Sequence, residues 1–62
     1  MKMWRKSEIQ TPNPFEYILA RVGNDEIPYV AYWDEDHYFE AHTGDMLHNV
    51  NLWMYIPLFP ND

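Results

Sequence analysis

The sequence contains no cysteine. Without thiols the chain forms no disulfide, no thiolate zinc site and no cysteine nucleophile, and this absence fits a reducing compartment such as the cytoplasm. A chain of 62 residues is one domain, residues 1–62, and a core this small rarely supplies more than about 3–5 kcal/mol of stability. Metal binding and self-association are the stabilising devices that remain open.

Positive charge and long apolar runs are also scarce. Ten Asp and Glu face four Lys and Arg, the net charge is -6, and no Lys or Arg follows Arg21. A nucleic-acid surface needs a patch of cations, so we expect no direct nucleic-acid binding. No apolar run approaches the roughly 20 residues that span a bilayer, and the N-terminus lacks the apolar stretch of a signal peptide. We therefore expect a soluble, cytoplasmic protein without a membrane partner.

Proline, glycine and acidic turn residues divide the chain into short segments rich in aromatic and branched side chains. Residues 1–10 form an arm that ends at the prolines of 11–14, and Trp4 and Ile9 are expected to pin it. Strands are predicted over 15–22, 27–33, 37–41 and 49–57, with a short helical turn within 43–49. The predicted fold class is mainly β, α+β at most, with one small antiparallel sheet of three to five strands.

Both faces of the predicted strands carry apolar side chains. The strand 15–22 places Ile18 on one face and Tyr17 and Leu19 on the other, and the strands 27–33 and 49–57 repeat this pattern. A sheet without a long helix cannot cover both of its faces, so the second face must be covered by the terminal arms, a partner chain or a ligand. We favour self-association, as a homodimer. Its expected contacts include Tyr17, Tyr29, Trp33 or Tyr55.

The high content of aromatic residues is the one feature that distinguishes this composition: the 62 residues include three Trp, five Tyr and three Phe. Large rings fill a small core efficiently, and Tyr and Trp also dominate binding hot spots. We expect the sheet to bury one aromatic set, with Trp53 as a principal core anchor, and to present the other. The candidate binding residues are Tyr17, Tyr29, Tyr32, Trp33, Tyr38 and Tyr55.

The polar clusters match no catalytic or metal-binding motif. His42, Asp45 and His48 are three residues apart, but this spacing matches no zinc motif. The acidic residues 34–36 lack the remainder of a calcium loop and are typical of a solvated hairpin tip. A phosphate loop, a nucleophile elbow and a zinc-binding helix are all missing. We expect no catalytic residue, no cofactor and no metal site, and a protein that is not an enzyme.

The order of an early Trp, a Pro, an Ile-Leu strand, an Ala-Tyr strand and a terminal Trp-Met resembles a group of short phage and prophage proteins. This group is domain-of-unknown-function family 551, whose members typically end in Val-Thr-His-Trp-Met-Pro-Leu-Pro. The present chain has Leu52 in place of the family's His and carries Tyr55 and Ile56 as an insertion before Pro57. The matching positions are Trp4, Pro14, Ile18, Leu19, Ala31, Tyr32, Phe39, Val50, Trp53, Met54, Pro57, Leu58 and Pro60.

The resemblance implies a phage-type accessory protein without an established activity, and it transfers no catalytic residue. Together with the composition it favours a non-enzymatic module that binds a host protein, or inhibits a host defence, through an aromatic patch rimmed by carboxylates. Two alternatives stay open. A dimer could sequester a nucleotide-like signal near the cations of the N-terminal third, or ordered carboxylates could mimic nucleic acid.

Overall fold

The structure is a computed structural model that describes residues 4–57 and 59, in which one antiparallel sheet of six strands contains all the regular secondary structure. The strands are β1 (Arg5–Lys6), β2 (Ile18–Val22), β3 (Tyr29–Trp33), β4 (Tyr38–Glu40), β5 (Met46–Leu47) and β6 (Val50–Tyr55). Their order in the sheet is β1-β6-β2-β3-β4-β5. The predicted mainly β fold is thus confirmed. The family positions Leu58 and Pro60 lie outside the described residues.

The short strands β1 and β5 raise the number of strands above the predicted three to five. The helical turn predicted within 43–49 is absent, since no helix occurs in the described part of the chain. Instead, Gly44 adopts a φ of 79°, which glycine tolerates at no steric cost. The backbone N–H of Glu40 donates to the carbonyl of Asp45 at 2.8 Å and closes a hairpin. Strands of two residues depend on pairing with a neighbouring strand and are too short to show an alternating sequence pattern.

The connection from β5 to β6 shows that the sheet is strongly rolled. Three strands lie between β5 and β6 in the sheet order, a separation of about 19 Å if the sheet were flat. Only His48 and Asn49 join the two strands along the chain, and that connection spans at most about 11 Å. The sheet therefore curls until β5 and the start of β6 approach each other over one face. We name this the inner face and the opposite one the outer face.

The inner face carries the hydrophobic core. Its fully buried apolar side chains are Ile18, Ala20, Ala31 and Trp53. The strand register places them on one side of the sheet, since Ala31 and Trp53 pair with neighbouring positions of β2. Leu47, at the end of β5, and Val50, at the start of β6, pack against this cluster where the two strands approach each other. The prediction of Trp53 as a core anchor is confirmed.

Residues 7–14, which we name the covering arm, lie against the inner face. The indole N–H of Trp53 donates to the carbonyl oxygen of Gln10 at 2.8 Å. The hydroxyl oxygen of Tyr55 accepts the backbone N–H of Asn13 at 3.1 Å. Pro12, between these two contacts, is buried. The chain thus covers its inner face with its own N-terminal segment, one of the covers predicted from the sequence.

The anchors of the arm differ from those predicted. Ile9 is 77% exposed and pins nothing, and Trp4, which is 40% exposed, lines a cleft with Arg21 and Leu52 on the outer face, away from the core. The hydroxyl of Ser7 pins the arm by donating to the carbonyl of Val50 at 2.6 Å, together with the buried Pro12. Ile9 lies in a tight turn, where its N–H donates to the carbonyl of Lys6 at 3.0 Å, and this turn leaves its side chain at the surface.

Two inner-face tyrosines form a matched pair for testing this packing. The hydroxyl of Tyr38 is buried without a hydrogen-bond partner among the described residues, whereas that of Tyr55 is bonded to Asn13. An unpaired buried polar group costs about 1–3 kcal/mol, and a satisfied one contributes about 1 kcal/mol. We expect Tyr38→Phe to raise the free energy of unfolding by about 1 kcal/mol and Tyr55→Phe to lower it by about 1 kcal/mol. Urea titration measures both, and loss of stability in Tyr38→Phe would contradict the packing described.

Candidate functional site

The outer face carries aromatic rings in a continuous row. The ring centroids of Tyr17 and Tyr32 lie 6.5 Å apart, and those of Tyr32 and Phe39 lie 5.6 Å apart. Phe15 stacks on Tyr32 with a centroid distance of 6.1 Å. We name these four rings the aromatic row. Their distances fall within the range of favourable ring contacts.

The strand register explains why these rings meet. Tyr32 pairs with Phe39 across β3 and β4, and Phe39 pairs with Met46 across β4 and β5. Continuing the register of β2 by one residue places Tyr17 beside Tyr32, and the register of β6 places Ile56 beside Tyr17. Side chains that pair directly lie on the same face of a sheet. The row therefore runs across the sheet, with Ile56 and Met46 at its ends.

The aromatic row is open to solvent at one end and half-buried at the other. Phe15 is 68% exposed and Tyr17 is 59% exposed, whereas Tyr32 and Phe39 are half-buried. The neighbouring outer-face position Met54 is buried, so the row borders on packed side chains. A contiguous exposed apolar surface beside a packed region is typical of an interaction site.

Phe15 has an unfavourable backbone conformation. Its φ is 63°, in the left-handed region, which is unfavourable for a bulky L-residue by roughly 1–2 kcal/mol. Its N–H donates to the carbonyl of Trp33 at 2.8 Å, which holds the backbone in place. The ring gains little burial in return. Strain of this kind concentrates at functional positions, so the backbone itself marks Phe15 as a candidate contact.

An acidic turn adjoins the row between β3 and β4. One carboxylate oxygen of Asp34 accepts the backbone N–H groups of Asp36 at 2.9 Å and His37 at 2.7 Å. The ring of His37 meets the ring of Phe39 edge-on at 6.5 Å. The residues 34–36 therefore form a hairpin tip, as predicted, and the turn is connected to the row through His37.

The acid response of this turn follows from the pKa of Asp34. The backbone hydrogen bond from His37 lowers the pKa of Asp34 below its ordinary value of 3.8, against an opposing effect of burial. Because the folded-state pKa is lower than the unfolded one, the stabilisation is fully present above the ordinary value of 3.8 and is lost as the pH falls from there through the folded-state pKa. We expect the amide signals of Asp36 and His37 to change below about pH 4 in the native protein, and this change to vanish in Asp34→Asn.

Asp36→Asn is the matched control, because the carboxylate of Asp36 lies 3.4 Å from the imidazole of His37 and does not hold the turn. That variant should keep the acid response of the native protein. Nuclear magnetic resonance spectra recorded during a pH titration measure each amide separately. An unchanged acid response in Asp34→Asn would show that another group controls the turn.

The residues predicted to bind separate onto the two faces. Tyr17 and Tyr32 belong to the aromatic row, and the register places Tyr29, Trp33, Tyr38 and Tyr55 on the inner face. There the hydroxyl of Tyr29 donates to the carboxylate of Asp25 at 3.2 Å. Phe15 and Phe39 join the site without having been predicted. Once the register of β3 and β4 is known, the alternation of side chains places Phe39 beside Tyr32 on the outer face.

The described cations of the N-terminal third, Arg5, Lys6 and Arg21, are not gathered into one site, and Lys2 lies outside the described residues. The guanidinium of Arg5 lies over the inner-face rings of Trp53 at 5.3 Å and Tyr55 at 5.4 Å. Lys6, on the outer face, pairs with Leu52. Arg21 borders an open outer-face cleft of about 330 Å³, which Asp25 and Glu26 also line. The cations are thus spread over the molecule, and carboxylates line the cleft beside Arg21. This arrangement supports the binding of a nucleotide-like signal less than the aromatic row supports the binding of a protein.

No three His, Asp or Glu side chains come together as metal ligands within residues 4–57 and 59. The set of His42, Asp45 and His48 considered from the sequence is thus not assembled there. In the same part of the chain, no helix is long and apolar enough to cross a bilayer.

The class that fold and site together define is a small rolled antiparallel sheet with one face covered by its own chain and one aromatic face that residues 4–57 and 59 leave uncovered. No protein-family model, no curated protein and no solved structure matches the chain. The resemblance to the phage and prophage family therefore remains a prediction from the sequence.

Proposed function

We propose that the protein is a small accessory module that binds another protein through the aromatic row and catalyses no reaction itself. The observation that supports this most directly is Phe15, which combines a left-handed backbone with a ring that is 68% exposed. Tyr17 and Tyr32 extend the same surface. Tyrosine and other large rings are enriched where binding energy concentrates in protein interfaces.

The contrast between the two faces adds to this proposal. The inner face is covered by residues of the same chain, through Gln10 and Asn13. The aromatic row is an apolar surface for which the described residues supply no comparable cover. The resemblance to phage proteins favours a host protein in the cytoplasm as the partner. Occupying that protein's surface is the mode of action we propose.

A second copy of the chain is another partner predicted from the sequence, and the homodimer remains a prediction. Of its expected contacts, Tyr17 lies in the aromatic row, whereas Tyr29, Trp33 and Tyr55 lie on the inner face. A homodimer that used the outer face would thus involve Tyr17 and its neighbours in the row.

Affinity capture with a matched variant tests the proposed function. The native protein and the double variant Phe15→Asn/Tyr17→Thr are immobilised, and proteins retained from an extract of the encoding organism are compared by quantitative mass spectrometry. We expect a near-stoichiometric protein on the native bait that the variant loses, followed by direct binding of that purified protein. Analytical ultracentrifugation measures the mass of each bait in solution and so shows whether a second copy of the chain is the partner. Identical retained proteins and identical masses for the two baits would contradict the proposal.

A further inference from the structure

We infer that the partner presents an extended basic segment of about six residues, with an arginine or lysine side chain lying over the aromatic row. This inference rests on the proposed function and specifies the chemistry of the partner. It is supported by the ring faces that the row presents, by the charges around it and by its length across the sheet.

The protein itself shows that its aromatic pairs accept a guanidinium. On the inner face, Arg5 lies 5.3 Å from the ring of Trp53 and 5.4 Å from that of Tyr55. The outer row also offers a pair of aromatic rings in contact, Tyr32 and Phe39, which are stacked where the inner pair meets edge-on. Within the described residues, no Lys or Arg lies over the outer row. A cation placed over such ring faces gains about 0.5–2 kcal/mol, more when water is excluded.

The charges around the row favour a cationic occupant. The carboxylate of Asp36 is 3.4 Å from His37, which in turn contacts Phe39. Asp34 is ionised at neutral pH, and the hydrogen bond from His37 lowers its pKa further below the ordinary value of 3.8. The outer-face cation nearest along β2 is Arg21, four residues from Tyr17, a distance of about 13 Å. Arg21 therefore lies beyond the roughly 8–10 Å over which charges act at physiological salt, whereas the acidic turn adjoins the row through His37.

The same charges favour a basic partner over a second copy. Each copy carries a net charge of -6, so two copies repel each other as their surfaces approach. Like charges brought together weaken an interface, whereas a basic segment gains in association rate and in specificity.

The length of the row sets the length of the segment. The row crosses five strands, from Ile56 beside β6 to Met46 on β5, a path of about 19 Å at the usual strand spacing. An extended chain advances about 3.3 Å per residue, so about six residues cover the row. The basic side chain is expected near Tyr32 and Phe39, beside the acidic turn, with apolar side chains toward Ile56.

Selection from a phage-displayed library of random twelve-residue peptides tests this inference. Peptides retained by the native protein are counter-selected against Phe15→Asn, and the survivors are synthesised and measured by fluorescence anisotropy at low and high salt. We expect survivors that carry Arg or Lys next to aliphatic residues and that lose about 30-fold or more in affinity with Phe15→Asn. Removing two charges, in Glu35→Gln/Asp36→Asn, should weaken them about 3- to 10-fold at low salt and little at high salt.

Glu8→Gln/Glu26→Gln is the matched control, because it removes the same net charge from exposed positions away from the row. That variant should leave the affinity within about twofold of native, as isolated surface charges contribute little. Survivors that depend on Phe15 but are neutral or acidic would overturn the basic-segment inference and leave the proposed function standing. A selection that yields no peptide dependent on Phe15 would overturn both.

Discussion

Replacing Trp53 with alanine is expected to lower the free energy of unfolding by about 3–5 kcal/mol, the usual range for removing a large buried aromatic side chain. Trp53 is fully buried, and its ring meets that of Tyr55 edge-on at 4.9 Å. Its indole N–H also holds the covering arm at Gln10. One substitution therefore opens a core cavity and releases the cover of the inner face. In a domain this small, such a loss is close to the whole stability.

Urea titration followed by far-ultraviolet circular dichroism measures the effect. Phe59→Ala is the matched control, because Phe59 is an aromatic residue that is 94% exposed and its removal should cost about 0.5 kcal/mol or less. A Trp53→Ala protein that melts within a few degrees of the native protein would contradict the burial of Trp53 and the role of the covering arm.

Replacing Phe15 with asparagine is expected to separate binding from stability. Binding of a peptide that occupies the aromatic row should fall about 30-fold or more, the effect of removing an interface hot spot. Stability should stay within about 1 kcal/mol of native, because two effects oppose each other. Asparagine adopts the left-handed region more readily than phenylalanine does, and this gain offsets the lost stacking on Tyr32, whose ring is 6.1 Å away.

Ile9→Asn is the control for this prediction, since Ile9 is an exposed apolar residue in the turn at the start of the covering arm. It should leave peptide binding unchanged. Unfolding and binding are measured on the same preparations of all three proteins. A loss of more than about 2 kcal/mol in Phe15→Asn, as expected of a core residue, would show that the ring serves the fold and not a partner.

Sequence reasoning predicted the parts of this fold that depend on local pattern. Aromatic and branched segments bounded by turns predicted the longer strands, and alternation correctly separated Ile18 from Tyr17 and Leu19. These inferences need only the period-two geometry of a strand. Trp53 is predicted as an anchor because it lies mid-strand between Leu52 and Met54 and because it is one of the positions that match the phage and prophage family.

The parts that could not be predicted depend on contacts between distant residues. The covering arm is held by a bond between Trp53 and Gln10, which are 43 positions apart, and no local pattern encodes it. The strand Met46–Leu47 forms through pairing with β4. The left-handed backbone of Phe15 runs against the usual preference of a bulky residue. Phe15, the most exposed ring of the aromatic row, is absent from the predicted site because that site is composed of Tyr and Trp, the residues that dominate binding hot spots.

Side-chain resonances measure directly whether the outer aromatic row is the surface that meets a partner. A protein labelled in its aromatic rings is titrated with a basic peptide that depends on Phe15, and ring signals are followed by nuclear magnetic resonance. We expect shifts at Tyr17, Tyr32 and Phe39 and none at the inner-face Tyr29. Shifts confined to Tyr29 and Trp33, with the row unmoved, would contradict the account.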